Sequence, residues 1–132
     1  LMFRNKKHSG LVEVDVIIQR DMIAEPQAPR GVTPFDKSNT SGSIMLDAGT
    51  NVTLGTGDSF VQQPDPWFEY SNIDIVDMEA YPLAKYAKIK NIPFRSFKFV
   101  TDFADENAMK NWSENVSAGQ KAFDDILPKL LK

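Results

Sequence analysis

The sequence contains no cysteine and a single histidine, His8. Disulfide frameworks, thiolate zinc sites and cysteine nucleophiles are therefore excluded, and the redox compartment is left open. No His/Asp/Glu group has metal-ligand spacing, and neither Ser59 nor Ser96 has a histidine partner for nucleophilic work, so no cofactor or metal is expected. Basic charge is also scarce: 15 Lys+Arg stand against 18 Asp+Glu, a net charge of -3, with no long basic run. That balance supplies no footprint for a phosphate backbone or an anionic lipid surface, and it points away from nucleic acid and membrane towards small-molecule partners. No apolar run approaches the roughly 18 residues of a membrane span. The start lacks the apolar stretch that follows a signal peptide's basic end, which makes cytoplasmic the expected location. Leu1 ahead of Met2 is compatible with an added residue or with a piece cut from a longer chain.

What is present is an ordinary globular composition, 42% hydrophobic and 11% aromatic over 132 residues. That suits one domain able to bury about two thirds of its unfolded surface. Val12, Val14 and Val16 alternate with Glu13 and Asp15, the period-two pattern of a half-buried strand within 10–22. From 25 to 42, Pro26, Pro29, Gly31, Pro34 and Ser38-Asn39-Thr40-Ser41-Gly42 sustain neither ladder nor helix, giving a long loop. Such a loop is a lid, a partner contact or plain surface disorder. Short strands are expected at 43–46, 51–54 and 73–76, a helix over 80–90, an aromatic strand over 94–101 and a terminal helix over 105–132 interrupted by Pro128. Pro82 is tolerated only in the first turn of its helix. Trp67-Phe68-Glu69-Tyr70 is an aromatic cluster that lines a pocket or forms a satellite core or subunit contact.

Strand, helix, strand, helix over the last part of the chain predicts an α/β class with a right-handed crossover and a locally parallel sheet. Ligands in such sheets bind outside the carboxyl ends of strands. The rule points to Gly57-Asp58-Ser59-Phe60-Val61, to Asp77-Met78-Glu79 and to Thr101-Asp102. Glu79 and Asp102 each follow an apolar strand, and desolvation beside Met78, Phe99 and Phe103 suits a general acid. The alternative is helix capping, by Asp77 or Glu79 for one helix and by Asp102 or Asp105 for the other. Arg4, Arg20, Arg30 and His8 read as solvated surface residues.

Taken together, Gly57-Asp58-Ser59-Phe60-Val61, Val76-Asp77-Met78-Glu79-Ala80 and Thr101-Asp102-Phe103-Ala104-Asp105 resemble, in order and spacing, the carboxyl-terminal half of the purine nucleoside phosphorylase and methylthioadenosine/S-adenosylhomocysteine nucleosidase superfamily. The resemblance runs from about Asp15 to the carboxyl terminus and includes Gln19-Arg20-Asp21-Met22, similar to the strand that leads into the family's substrate loop. It implies the carboxyl-terminal part of a nucleoside phosphorylase-like mixed/parallel sheet flanked by helices, a single partial domain over 1–132. The substrate it implies is a purine nucleoside. Phe60 would stack on the purine and the Val61 backbone would read its edge; Met78 would pack on the ribose and Glu79 would accept from its hydroxyls. Asp102 would be the catalytic acid at the base, and an aspartate there implies adenine. The implied reaction is nucleosidase-like cleavage of the N-glycosidic bond of an adenine nucleoside such as methylthioadenosine. The alternative is a truncated, non-catalytic homologue that binds a purine nucleoside or forms part of an oligomeric or split enzyme. The family's water-activating acid and phosphate site have no counterpart in these residues. Uncovered sheet edges and helix faces of a half-domain predict a homo-oligomer, a dimer.

Overall fold

The computed structural model describes residues 8–63, 65–101 and 107–132. Apolar runs too short for helices form β1 (Gly10–Glu13), β2 (Val16–Gln19), β3 (Ser43–Met45), β4 (Thr53–Thr56), β5 (Ile75–Asp77) and β6 (Phe97–Val100). One sheet has the order β3-β2-β4-β5, with β2, β4 and β5 parallel and β3 antiparallel at one edge. Its central strands are covered on both faces, which is why they read as continuous apolar runs. Ile17, Leu54 and Ile75 meet Ala80, Tyr81 and Ala84 of α2 (Ala80–Lys90) on one face. Val76 and Ile73 meet Val61 and Phe68 on the other. Consecutive Ile75 and Val76 thus serve opposite layers, as strand geometry requires. Gly55 admits the second layer, since a Cβ there would lie 2.9 Å from Ile73 Cδ1.

The mixed α/β architecture flanked by helices agrees with the expected class, but two expectations about the strands do not hold. The strand expected within 10–22 is broken at Val14-Asp15, both buried. The Asp15 carboxylate accepts from the amides of Gly49 (3.1 Å) and Asn51 (3.2 Å), while the Val14 amide donates to Ser96 O at 2.8 Å. The chain changes partners there, and the alternation slips so that Ile17, not Val16, is fully buried. Nor does β6 lie parallel beside β5. It pairs antiparallel with β1, Gly10 opposite Val100 and Glu13 opposite Phe97, in a separate two-stranded ribbon. The helix α2 is therefore no crossover within one sheet. The ribbon is covered by α3 (Ala108–Leu130), whose Gly119 brings the helix backbone close to Phe99.

Helix α2 occupies the expected residues, with Pro82 in its first turn, where its missing N–H is unpaired in any case. Asn91 ends it in the left-handed conformation. A short helix, α1 (Pro66–Tyr70), occupies the aromatic cluster. The Asp65 carboxylate accepts from the Trp67 amide at 2.9 Å, and Pro66 supplies a preset first turn. Phe68 enters the core with Trp67 packed against it, whereas Tyr70 is exposed. No described helix is long and apolar enough to cross a membrane.

Candidate functional site

Three parallel strands end level with one another: Gln19 of β2 lies opposite Thr56 of β4, and Thr56 opposite Asp77 of β5. The ladder continues one step further, the Arg20 amide donating to Thr56 O (2.8 Å) and the Gly57 amide to Asp77 O (3.1 Å). Arg20-Asp21, the 57–61 loop and Met78-Glu79 consequently emerge at one rim. This is the carboxyl end of the parallel strands, where open α/β sheets place their ligands.

Asp77 organises the rim. It accepts from the Thr56 hydroxyl at 2.6 Å and the Ala80 amide at 2.9 Å, and Lys98 Nζ lies 2.5 Å from its second oxygen. The first bond ties β5 to β4, the second starts α2, and the third brings β6 to the end of β5. Thr56 also accepts the Tyr81 amide at 3.1 Å. Asp77 and Glu79 are the two candidate caps of α2, and the structure distinguishes them. Asp77 does the capping, while Glu79, in the N-cap position, makes no side-chain cap bond and is exposed. Its neighbour Met78 is 41% exposed.

The 57–61 loop leaves β4 beside Arg20. Residue preferences put Arg20 and Arg30 on the solvated surface, and the structure corrects both. Arg20 is 4% exposed. It donates to Ser59 Oγ (3.2 Å), to the carbonyls of Gly57 (3.1 Å) and Ser59, and more distantly to Asp77 O (3.5 Å). Burial lowers its guanidinium pKa, opposed by the charges of Asp21 and Asp77. Arg30 donates to Arg20 O (3.0 Å) and to Asp65 Oδ2 (2.6 Å), and its guanidinium lies 4.4 Å from the centre of the Trp67 ring. His8 is likewise half-buried, its Nε2 3.7 Å from Asp74 Oδ1. An arginine immediately after an apolar strand and before an aspartate was the only signal available, and residue preferences favour exposure.

Phe60 is 37% exposed, whereas Val61 buries its side chain with Phe68, Ile73 and Val76. Both line a pocket of about 400 Å³ with Arg20, Asp21, Ile23 and Arg30. Met78 lines a neighbouring pocket of about 360 Å³ with Thr56, Asp58, Tyr81 and Lys85. Asp21 contributes to both, and its carboxylate accepts the Asp58 amide at 2.7 Å. The structure thus gathers Phe60, Val61, Met78 and Glu79 at one rim but opens Phe60 and Met78 into adjacent pockets. Asp102 lies outside the described residues, as does Asp105. Next to them, Thr101 O accepts from Asn115 Nδ2 of α3 at 2.9 Å.

The expected loop at 25–42 carries no helix or strand, but it is tied down over this rim. Asp36 pairs with Lys85 of α2, and Asn39 Nδ2 donates to the buried Tyr81 hydroxyl at 3.0 Å. Hydrogen bonds from Lys85 and Ser38 hold the Asp36 carboxyl well below the usual aspartate range. No acidic or histidine cluster able to hold a metal exists among the described residues.

Neither a protein-family model nor any curated protein sequence matches this chain. Solved structures do. The Helicobacter pylori 5'-methylthioadenosine/S-adenosylhomocysteine nucleosidase superposes with a TM-score of 0.82 at 17% identity, covering 97% of this chain and 62% of that one. The Streptococcus pyogenes S-adenosylhomocysteine nucleosidase, solved with 5-methylthiotubericidin, gives 0.77 at 21%, covering 96% and 61%. The futalosine hydrolase of Helicobacter pylori gives 0.80 at 16%, covering 92% and 59%. This chain spans less than two thirds of the length of each. With identities of 16–21% the likeness is one of fold, and the chain carries the fold of the methylthioadenosine/S-adenosylhomocysteine nucleosidases over about three fifths of their length.

Proposed function

We propose that this chain acts in the cytoplasm on an adenine nucleoside such as methylthioadenosine, cleaving its N-glycosidic bond with water. The observation that carries the reading is the pairing at one rim of an exposed aromatic, Phe60, with Glu79, whose carboxylate the helix cap leaves unused. Phe60 stacks on the purine, the Val61 backbone reads its edge, and Met78 packs on the ribose. Glu79 accepts from the ribose hydroxyls, a task for an ionised, acceptor-only group. Cleavage leaves positive charge on the sugar and negative charge on the departing base. Asp102, as the acid at the base, neutralises the latter and so favours the transition state over the ground state. Exposed Leu83, Tyr86 and Ile89 on α2, with Met109, Trp112 and Val116 on α3, support assembly into a homodimer.

A second reading is a non-catalytic purine-nucleoside-binding module or one part of a split enzyme, for which the exposed Phe60 and Glu79 at the rim supply binding groups. One experiment separates the two: release of free adenine from methylthioadenosine and adenosine by the purified chain, with and without phosphate, with Asp102→Asn as the control. Release that disappears in Asp102→Asn supports catalysis, and a phosphate requirement redirects it to phosphorolysis. Binding without release supports the module.

A further inference from the structure

Arginine is almost never fully buried unless its charge is matched. Arg20, one residue beyond β2, is 4% exposed and spends its donors on a loop. Nη1 reaches Ser59 Oγ, and Nη2 reaches the carbonyls of Gly57 and Ser59, with the Asp77 carbonyl at 3.5 Å. Its Nε is buried without a hydrogen-bond partner among the described residues. An unsatisfied buried donor is destabilising, so this placement serves the loop carbonyls rather than the side chain's own satisfaction.

Those contacts set backbone direction. A trans peptide is planar, its carbonyl opposed to the following N–H. With the Gly57 carbonyl turned to Arg20, the Asp58 amide points the other way, and it donates to Asp21 Oδ2 at 2.7 Å. With the Ser59 carbonyl turned to Arg20, the Phe60 amide also points away from the guanidinium. The second of these planes fixes the position from which the chain enters Phe60. Gly57 carries an independent mark of the same arrangement. A Cβ there would stand 2.9 Å from Arg20 Cζ and 2.8 Å from Asp21 Cγ, so the guanidinium rests against a backbone that only glycine keeps clear.

We propose that Arg20 is a positioning residue for ligand recognition: it clamps Gly57 and Ser59 to the end of β2 and thereby presents Phe60 and Val61 in a fixed relation to Met78 and Glu79. The role of that presentation rests on the nucleoside reading above. Loop 57–61 has no strand or helix of its own. A clamp that orders it beforehand removes an ordering cost from binding.

The test uses the full chain as wild type, Arg20→Gln, Arg20→Lys and Gly57→Ala. Amide hydrogen exchange over 57–61 is measured beside calorimetric titration with methylthioadenosine and adenosine. In Arg20→Gln, exchange over 57–61 rises and affinity falls, each by about tenfold or more, the worth of charge-assisted bonds. Exchange in β6 and α3 stays at the wild-type level. Arg20→Lys restores part of both, and Gly57→Ala shifts both in the same direction, adding little in combination with Arg20→Gln. If Arg20→Gln does not fold, Arg20→Lys and Gly57→Ala read the same two quantities. Unchanged exchange over 57–61 overturns the clamp, and faster exchange at wild-type affinity overturns the positioning role. A wild-type chain that binds neither nucleoside, while its loop still responds to Arg20→Gln, overturns the nucleoside reading and leaves the clamp standing.

Discussion

The Thr56 hydroxyl donates to Asp77 at 2.6 Å and accepts the Tyr81 amide at 3.1 Å, so one side chain joins β4 to β5 and to the first turn of α2. Met78 and Glu79 stand between these fixed points. Asp77→Ala leaves the Ala80 amide, the Thr56 hydroxyl and Lys98 without their acceptor. A loss of about 2–3 kcal/mol is expected in denaturant unfolding, from the lost cap together with a buried bond to a charged group. Asp77→Asn retains the size and part of the bonding and loses less.

Glu79→Gln isolates binding from stability. Its side chain makes no cap bond and is exposed, so the unfolding midpoint stays within about 0.5 kcal/mol of wild type. Affinity for an adenine nucleoside falls about tenfold or more, because an amide accepts the ribose hydroxyls more weakly than a carboxylate. A stability loss as large as that of Asp77→Ala assigns Glu79 a structural role instead.

Phe60→Ala removes a stacking surface from a side chain already 37% exposed. Nucleoside affinity is expected to fall by about 1–3 kcal/mol, the usual worth of base-aromatic stacking. Adenosine and a pyrimidine nucleoside titrated in parallel show whether the effect follows the base.

Asp65 makes stability depend on acid pH. Its burial pushes the carboxyl pKa up, but hydrogen bonds from Arg30 and the Trp67 amide, with the charges of Arg30 and Arg20, outweigh that and bring it below the ordinary value. A folded-state pKa below the unfolded one, about 3.9, adds stability that is fully present above pH 4 or so and is lost as pH falls through the folded value. Urea midpoints measured from about pH 5 to pH 2 are expected to fall more steeply for wild type than for Asp65→Asn, by about 1 kcal/mol or less for a pair of this exposure. Parallel curves assign the pair no weight.

If the proposed homodimer forms, light scattering gives twice the chain mass and Trp112→Glu, in the exposed apolar stripe of α3, returns it to the single mass.

The class, the location of most elements and the rim are legible in local sequence pattern. Periodicity and capping are local, and they placed α2 at Ala80–Lys90 and α3 within a turn of its observed start. The carboxyl ends of apolar strands placed the 57–61 loop and Met78-Glu79 at one rim of the sheet. Only the tertiary structure decided which strands pair. An apolar run such as Phe97–Val100 carries no mark of its partner, and β6 joined β1 because the chain breaks at Asp15, whose carboxylate is satisfied by amides 34 and 36 residues away. It also decided between caps. Asp77 and Glu79 look equivalent in the chain, and only the position of Thr56 across the ladder makes Asp77 the acceptor. Arg20 is the clearest case: its place after an apolar strand and before an aspartate does not by itself mark it as buried. The carbonyls that draw its guanidinium inward lie 37 and 39 residues away and face it only once β2 and β4 are in register.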